Sequence, residues 1–221
     1  MGETVDVASL TRWIREFRRA VAANQDLLTR LDSVVGDADH GINMDRGLAA
    51  VLAALERRPP PADVSALLRD VATTLMSAVG GTSGALYGTF FQRMATSAGP
   101  ERSLDGVAFA QALRAGLAGV LQRGKAAVGD KTMVDALAPA LDALDAALAG
   151  GAGLGAALRS AAVAAEAGRD ATTPMLARGG RASFLGERSV GHQDPGATSA
   201  ALLITAAATV FADTVFLDGS E

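Results

Sequence analysis

The run Ala197-Thr198-Ser199-Ala200-Ala201-Leu202-Leu203-Ile204-Thr205-Ala206-Ala207-Ala208-Thr209-Val210 decides the fold. It lies in the most apolar stretch of the chain, Gly196 to Leu217, which carries Asp213 near its end. Small residues with scattered threonines suit a helix buried at the centre of a bundle better than a membrane span. The whole chain has the same character. Hydrophobic residues make up 49% of it and aromatics only 4%, so a core of Ala, Leu and Val must form between closely packed helices. An all-β fold is disfavoured. At 221 residues, with no long Pro/Gly/Ser-rich divider, the expectation is a single domain spanning residues 1–221.

Helical spacing recurs outward from that run. Val7 to Leu28 places Leu10, Ile14, Phe17 and Val21 on one face, with Arg12, Arg15, Arg18 and Arg19 free for others. Leu31 to Asn43 is dense in Asp and Gly and lacks a helical period, which predicts a polar loop. A second helix follows from Met44 to Leu55, ending before Pro59-Pro60-Pro61. Asp63 is a fitting N-cap for a third, which stops at Gly80-Gly81, and Thr82 or Ser83 for a fourth, which ends at Gly99-Pro100. The fifth covers Leu104 to Leu121. Thr132 and Asp135 resemble a capping box opening the sixth, which Gly150-Gly151 ends; Leu154 to Thr173 makes the seventh, and Pro195 opens an eighth toward Phe216. No β-alternation is visible. The segment from Ala177 to Asp194 has no clear period, and a loop of that length in a compact domain is more often functional than idle. The expected architecture is all-α: an up-and-down antiparallel barrel or bundle of eight helices, with irregular segments gathered at its ends.

A net charge of -4 and an isoelectric point near 5.2 leave no excess of cations for a phosphate backbone, which argues against nucleic-acid binding. The chain has no cysteine and two histidines. Disulfides, thiolate nucleophiles and zinc-thiolate sites are therefore excluded, and a bound metal must rely on oxygen or imidazole. Met1 to Asp6 shows neither a basic leader nor an uninterrupted apolar run, so no membrane association and a cytoplasmic location are expected.

Asp32, Asp37 and Asp39 fall within eight residues. Carboxylates forced together repel unless a cation sits among them, and a hard divalent ion is the economical answer. Mg²⁺ seldom takes an all-protein shell and shares its coordination with substrate phosphates, so the cluster implies a phosphate ligand too. The same aspartates could instead cap a helix and solvate a turn. The spacing lacks the Asp-x-Asp-x-Asp-Gly pattern of an EF-hand. Gly80-Gly81-Thr82-Ser83-Gly84 stands before a helix and reads either as an anion seat or as a plain helix stop and cap. It is not a Walker A loop, since no Gly-Lys-Ser/Thr follows. His40 adjoins the aspartates and His192 lies in Gly191-His192-Gln193-Asp194-Pro195-Gly196; each reads as a polar-site residue or as a structural hydrogen-bonding one. Arg178 and Arg181 read as phosphate partners or as surface arginines.

Taken together, Gly36-Asp37-Ala38-Asp39-His40-Gly41-Ile42-Asn43-Met44, Gly80-Gly81-Thr82-Ser83-Gly84, Gly129-Asp130-Lys131-Thr132-Met133-Val134-Asp135-Ala136-Leu137, Gly179-Gly180-Arg181-Ala182-Ser183 and Gly191-His192-Gln193-Asp194-Pro195-Gly196-Ala197 resemble the signatures of the dihydroxyacetone kinase L subunit, in that family's order. The resemblance runs from about Leu10 to Phe216. It implies a barrel of eight antiparallel helices binding ADP or ATP at one end, with two Mg²⁺ held by Asp32, Asp37 and Asp39. It places His40, Gly41, Ile42, Asn43, Thr82 and Ser83 around the phosphates and metals, and completes the nucleotide pocket with Gly124, Met133, Arg181, Asp194, Pro195 and Gly196.

The reaction it implies is phosphoryl transfer to dihydroxyacetone held covalently by a histidine of a separate K subunit, with no nucleophile in this chain. Two modes are implied: bound ADP rephosphorylated by a phosphohistidine protein of the phosphoenolpyruvate-dependent phosphotransferase system, or exchange of ATP and ADP. The lack of a K portion favours the first. Alternatives are an ATP-exchanging subunit of an erythrulose-type kinase and a nucleotide-loaded module contacting a transcription regulator. A homodimer is left open.

Overall fold

In the computed structural model, residues 4–212 are described, and they form a helical array with one two-residue β-pairing. Nine α-helices follow in chain order: α1 Val7–Ala23, α2 Gln25–Val35, α3 His40–Arg57, α4 Val64–Ala78, α5 Gly81–Ala98, α6 Gly106–Gly124, α7 Val134–Ala149, α8 Leu154–Ala171 and α9 Pro195–Ala212. A 3-10 segment, Arg181–Ser189, precedes α9. Helices α3 to α9 each pack on the next, α9 packs on α1 and α1 on α3, closing a ring of eight. Helix α2 stands outside that ring, against α3, α9 and the 3-10 segment.

The all-α class is as expected, and the differences from the sequence reading are local. The first helix divides at Asn24, whose side-chain amide donates to Ala20 O at 2.9 Å. That bond competes with the helical ladder and ends α1. The polar loop expected over Leu31 to Asn43 shrinks to residues 36–39, because α2 runs on to Val35 and α3 starts at His40. Leu28, Asp32 and Val35 are the buried residues of α2, so an aspartate occupies a core-facing slot and disguises the helical period. Strands Val5–Asp6 and Ser103–Leu104 pair antiparallel, Val5 opposite Leu104, too short for alternation to show. The stretch from Ala177 to Asp194 contains the 3-10 segment, kinked at Gly186.

Caps follow the sequence in part. Asp63 accepts from Ala66 N at 2.7 Å as N-cap of α4. Thr82 and Ser83 are not caps: α5 starts one residue earlier, at Gly81, with Gly80 in the cap position and no side-chain bond to the first turn. Between Thr132 and Asp135 only half of the box forms, Thr132 N donating to Asp135 Oδ2 at 2.7 Å.

Twelve of the eighteen residues of α9 are buried. It is long and apolar enough to cross a membrane by composition, yet 67% of it is buried inside the fold, as the reading of Ala197 to Val210 expects. The extension toward Phe216 lies outside the described residues. Some of the few aromatic side chains tie α9 to its neighbours. Trp13 donates its indole N–H to Leu203 O at 2.9 Å and lies 5.8 and 5.7 Å from the rings of Phe91 and Phe109; Phe109 in turn lies 5.5 Å from Phe211. A buried indole N–H needs such a partner. On the other side, Pro139 inside α7 has no N–H for Asp135 O, and Gly168 of α8 comes so close to that carbonyl that a Cβ would collide with it.

Candidate functional site

One end of the ring opens into a half-open cleft lined by residues from several separate segments of the chain. Its walls come from the α2–α3 turn, the start of α5, the α6–α7 loop, the segment before α9 and the first residues of α9.

The turn sets the acidic wall. Asp32, in the last turn of α2, is 7% exposed, and its Oδ2 accepts the backbone N–H of Asp39 at 2.9 Å and of His40 at 3.1 Å. It thereby caps α3 from a neighbouring helix, favoured further by the positive end of the α3 dipole. Gly36 permits this approach, since a Cβ there would collide with the Asp32 carboxylate. Ala38 sits at φ 62°, a left-handed conformation that is strained for alanine and that turns Asp37 and Asp39 to the same side as Asp32.

An oxygen from each of the three carboxylates lies within 4.8 Å of the others. Burial and the neighbouring Asp37 charge raise the pKa of Asp39 above its ordinary value, opposed by a hydrogen bond from Asn43. Arg181 reaches across from the 3-10 segment to pair with Asp37, and is the only arginine among the described residues lining the cleft. One guanidinium against three crowded carboxylates leaves negative charge unmatched, and the donor set is all oxygen. That fits a hard divalent cation.

The first turn of α5 also lines the cleft, and Gly80 supplies no side chain to cap its backbone N–H groups. The Ser83 hydroxyl lies 3.0 Å from His40 Nδ1. His40 Nε2 lies 2.9 Å from Ser199 Oγ, which is 2.7 Å from the Tyr87 hydroxyl. Both imidazole nitrogens are thus engaged, and burial lowers the His40 pKa, opposed by Asp32. A neutral ring with both nitrogens engaged is a positioning group; its one lone pair is taken up by a serine hydroxyl.

The third wall is pinned by Asp135 and Asp194. Asp135 accepts Gly129 N at 2.5 Å and Thr132 N at 2.7 Å. Asp194 accepts Ala197 N at 2.6 Å and titrates at about 7, raised mainly by burial. Between them runs Lys131, 1% exposed.

Of the residues singled out from sequence, Asp32, Asp37, Asp39, His40, Asn43, Thr82, Ser83, Gly124, Met133, Arg181, Asp194, Pro195 and Gly196 all line this cleft. Gly41 and Ile42 do not. Gly41 packs on α2, where a Cβ would collide with Gln25 O, and Ile42 is 46% exposed outside the cleft. Arg178 and His192 lie on the surface away from the lining. Sequence reasoning gave no role to Tyr87, Ser199 or Lys131. The signals were present: Tyr87 is the only tyrosine, one helical turn beyond Ser83, and Lys131 lies inside a quoted motif.

The model of the DAK2 domain matches residues 34–209, and the chain belongs to that family, the one its sequence signatures resemble. It is 43% identical over 192 residues to the ADP-binding subunit of a PEP-dependent dihydroxyacetone kinase of Escherichia coli, covering 86% of this chain and 90% of that one. It is 40% identical over 203 residues to the corresponding subunit of kinase 1 of Listeria innocua, covering 92% and 96%. Its fold matches the C. freundii dihydroxyacetone kinase solved with AMP-PNP and Mg²⁺ at a TM-score of 0.72 and 27% identity, over 95% of this chain and 35% of that longer one.

Proposed function

We propose that the chain is the nucleotide-binding subunit of a dihydroxyacetone kinase and works in the cytoplasm. The observation that carries this reading is the set of three carboxylates converging beside a cleft that the glycine-rich start of α5 also lines. Asp32, Asp37 and Asp39 hold two Mg²⁺ ions, which draw negative charge from the phosphates of ADP or ATP. The N–H groups at the start of α5, with Thr82 and Ser83, cradle the phosphates, and Arg181 adds a cation from the opposite side. His40, locked between Ser83 and Ser199, fixes the serine that faces the ligand. Leu86, Val120, Met133 and the Pro195-Gly196 turn line the less polar part of the cleft, which suits a base.

The chain contributes position and charge and leaves the sugar to a K subunit. His40 has no free nitrogen to bond a carbonyl carbon, and His192 is exposed away from the cleft. Bound ADP is recharged in place by a phosphohistidine donor of the phosphotransferase system. The test is a phosphorylation assay of dihydroxyacetone with Mg-nucleotide, with and without a K subunit. Turnover is expected only when both are present, and sustained turnover by this chain alone contradicts the reading. For the recharging mode, ADP should persist through gel filtration and leave on prolonged EDTA treatment. A protein that purifies empty and exchanges labelled ATP within seconds uses the other mode.

A further inference from the structure

We propose that Lys131 is a positioning residue that sets where Arg181 stands, by clamping both ends of the segment that carries it. The proposal rests on the nucleotide reading of the cleft. Lys131 is buried at 1% exposure in the α6–α7 loop, with a left-handed backbone at φ 62°. Its ammonium donates to three backbone carbonyls: Ser189 O, Met175 O at 3.0 Å and, at the long limit, Thr173 O at 3.5 Å. An ammonium has three N–H groups and no acceptor, so little donor capacity is left for a ligand in the cleft. The three carbonyls belong to the two flanks of one stretch. Thr173 and Met175 precede the 3-10 segment Arg181–Ser189, and Ser189 ends it.

Little buried apolar surface holds that stretch. Its apolar anchorage is a small satellite cluster, separate from the main core, of Ala177, Ala182 and Val35 with Leu185 against them, and Phe184 beside it is 88% exposed. A segment with so little buried apolar surface takes its position from polar bonds. Beside the Lys131 bonds, Arg178 N and Gly179 N donate to Asp130 O at 3.0 and 3.1 Å, Gly191 N donates to Thr173 O at 2.8 Å, and Ser189 Oγ accepts from Ala177 N at 2.9 Å. Burial lowers the pKa of the ammonium, and Asp194 lies near enough to oppose that in part. A methionine could fill this volume, but it has no N–H to draw three carbonyls together.

The test is a double-mutant cycle on the full chain, read by calorimetric titration with Mg-ADP. Lys131→Met and Arg181→Ala should each weaken binding by about fivefold or more, and the double variant should be little worse than the weaker single, since both remove the same interaction. Amide hydrogen exchange over residues 176–190 should speed up in Lys131→Met and remain near wild type in Arg181→Ala. If Lys131→Met does not fold, Lys131→Gln takes its place. It removes the three-donor ammonium that joins Thr173, Met175 and Ser189 and should show the same non-additivity with Arg181→Ala. Additive losses, or wild-type affinity in the loosened variant, overturn the positioning role while leaving the nucleotide site intact. A wild-type chain that does not bind Mg-ADP overturns the reading of the cleft itself, and the proposal with it.

Discussion

Asp32, Asp37 and Asp39 on one wall of the cleft, and Asp135 and Asp194 on another, are the same residue type in opposite electrostatic circumstances. Asp135 is matched by two backbone N–H groups, and Asp194 by the Ala197 N–H with Lys131 nearby. On the acidic wall only Asp32 is matched by backbone donors; Asp37 has a single arginine, and Asp39 has the Asn43 side chain, with the like charge of Asp37 beside it. Counting acids in the sequence does not separate these walls. Counting the donors that reach each acid does: where donors suffice the carboxylate is scaffold, and where they fall short a cation is called for.

The largest effect that bears on this contrast comes from the unmatched wall. Asp37→Ala should reduce Mg-nucleotide affinity by about two orders of magnitude or more, while the fold persists because crowding among carboxylates is relieved. Calorimetry with Mg-ADP and thermal melting check both halves; wild-type affinity, or a collapse in melting temperature, breaks the contrast. On the matched wall the expectation reverses. Asp135→Ala strands two N–H groups at a cost of about 3 kcal/mol, lowering the melting temperature by about 6–12 °C.

A smaller effect is expected from pH. Asp194 titrates at about 7 in the folded chain against an ordinary 3.8, so between those values the folded state holds a proton that the unfolded state has lost. Stability from this group is present at low pH and declines as pH rises toward 7, levelling off above it. Urea midpoints between pH 5 and 8 should fall by the equivalent of about 2 kcal/mol in the wild type and much less in Asp194→Asn. Smallest is Ala38→Gly. Relief of the left-handed strain exceeds the extra freedom of the unfolded chain by roughly 0.5 kcal/mol, a rise of one or two degrees in melting temperature.

The fold was legible where periodicity is strong. The helices built on Leu67, Val71 and Leu75, or on Leu137, Leu141 and Leu144, announce themselves by spacing, and the one over Ala197 to Val210 by its small apolar residues. The end of α2 was not legible, because the residue in its buried slot is Asp32, which serves the cleft as well as the helix. Thr82 and Ser83 read as caps because those residue types usually are; their displacement into the first turn depends on the backbone of Gly80 and Gly81, which composition does not reveal. The acids and the glycine-rich turn were visible as motifs. The hydrogen-bond chain from Ser83 through His40 and Ser199 to Tyr87 was not, since it joins residues up to 159 positions apart that only packing brings together.

The central claim is that Asp32, Asp37 and Asp39 hold the metal through which the nucleotide is bound. The most direct measurement is the affinity of the wild-type chain for ADP at fixed ionic strength, with millimolar Mg²⁺ and again with excess EDTA, after bound nucleotide has been stripped. The account predicts tight binding with the metal, with a raised melting temperature, and a loss of at least about a hundredfold without it, because Arg181 is the only arginine among the described residues lining the cleft to meet the phosphates. Equal affinity in the two conditions would contradict it.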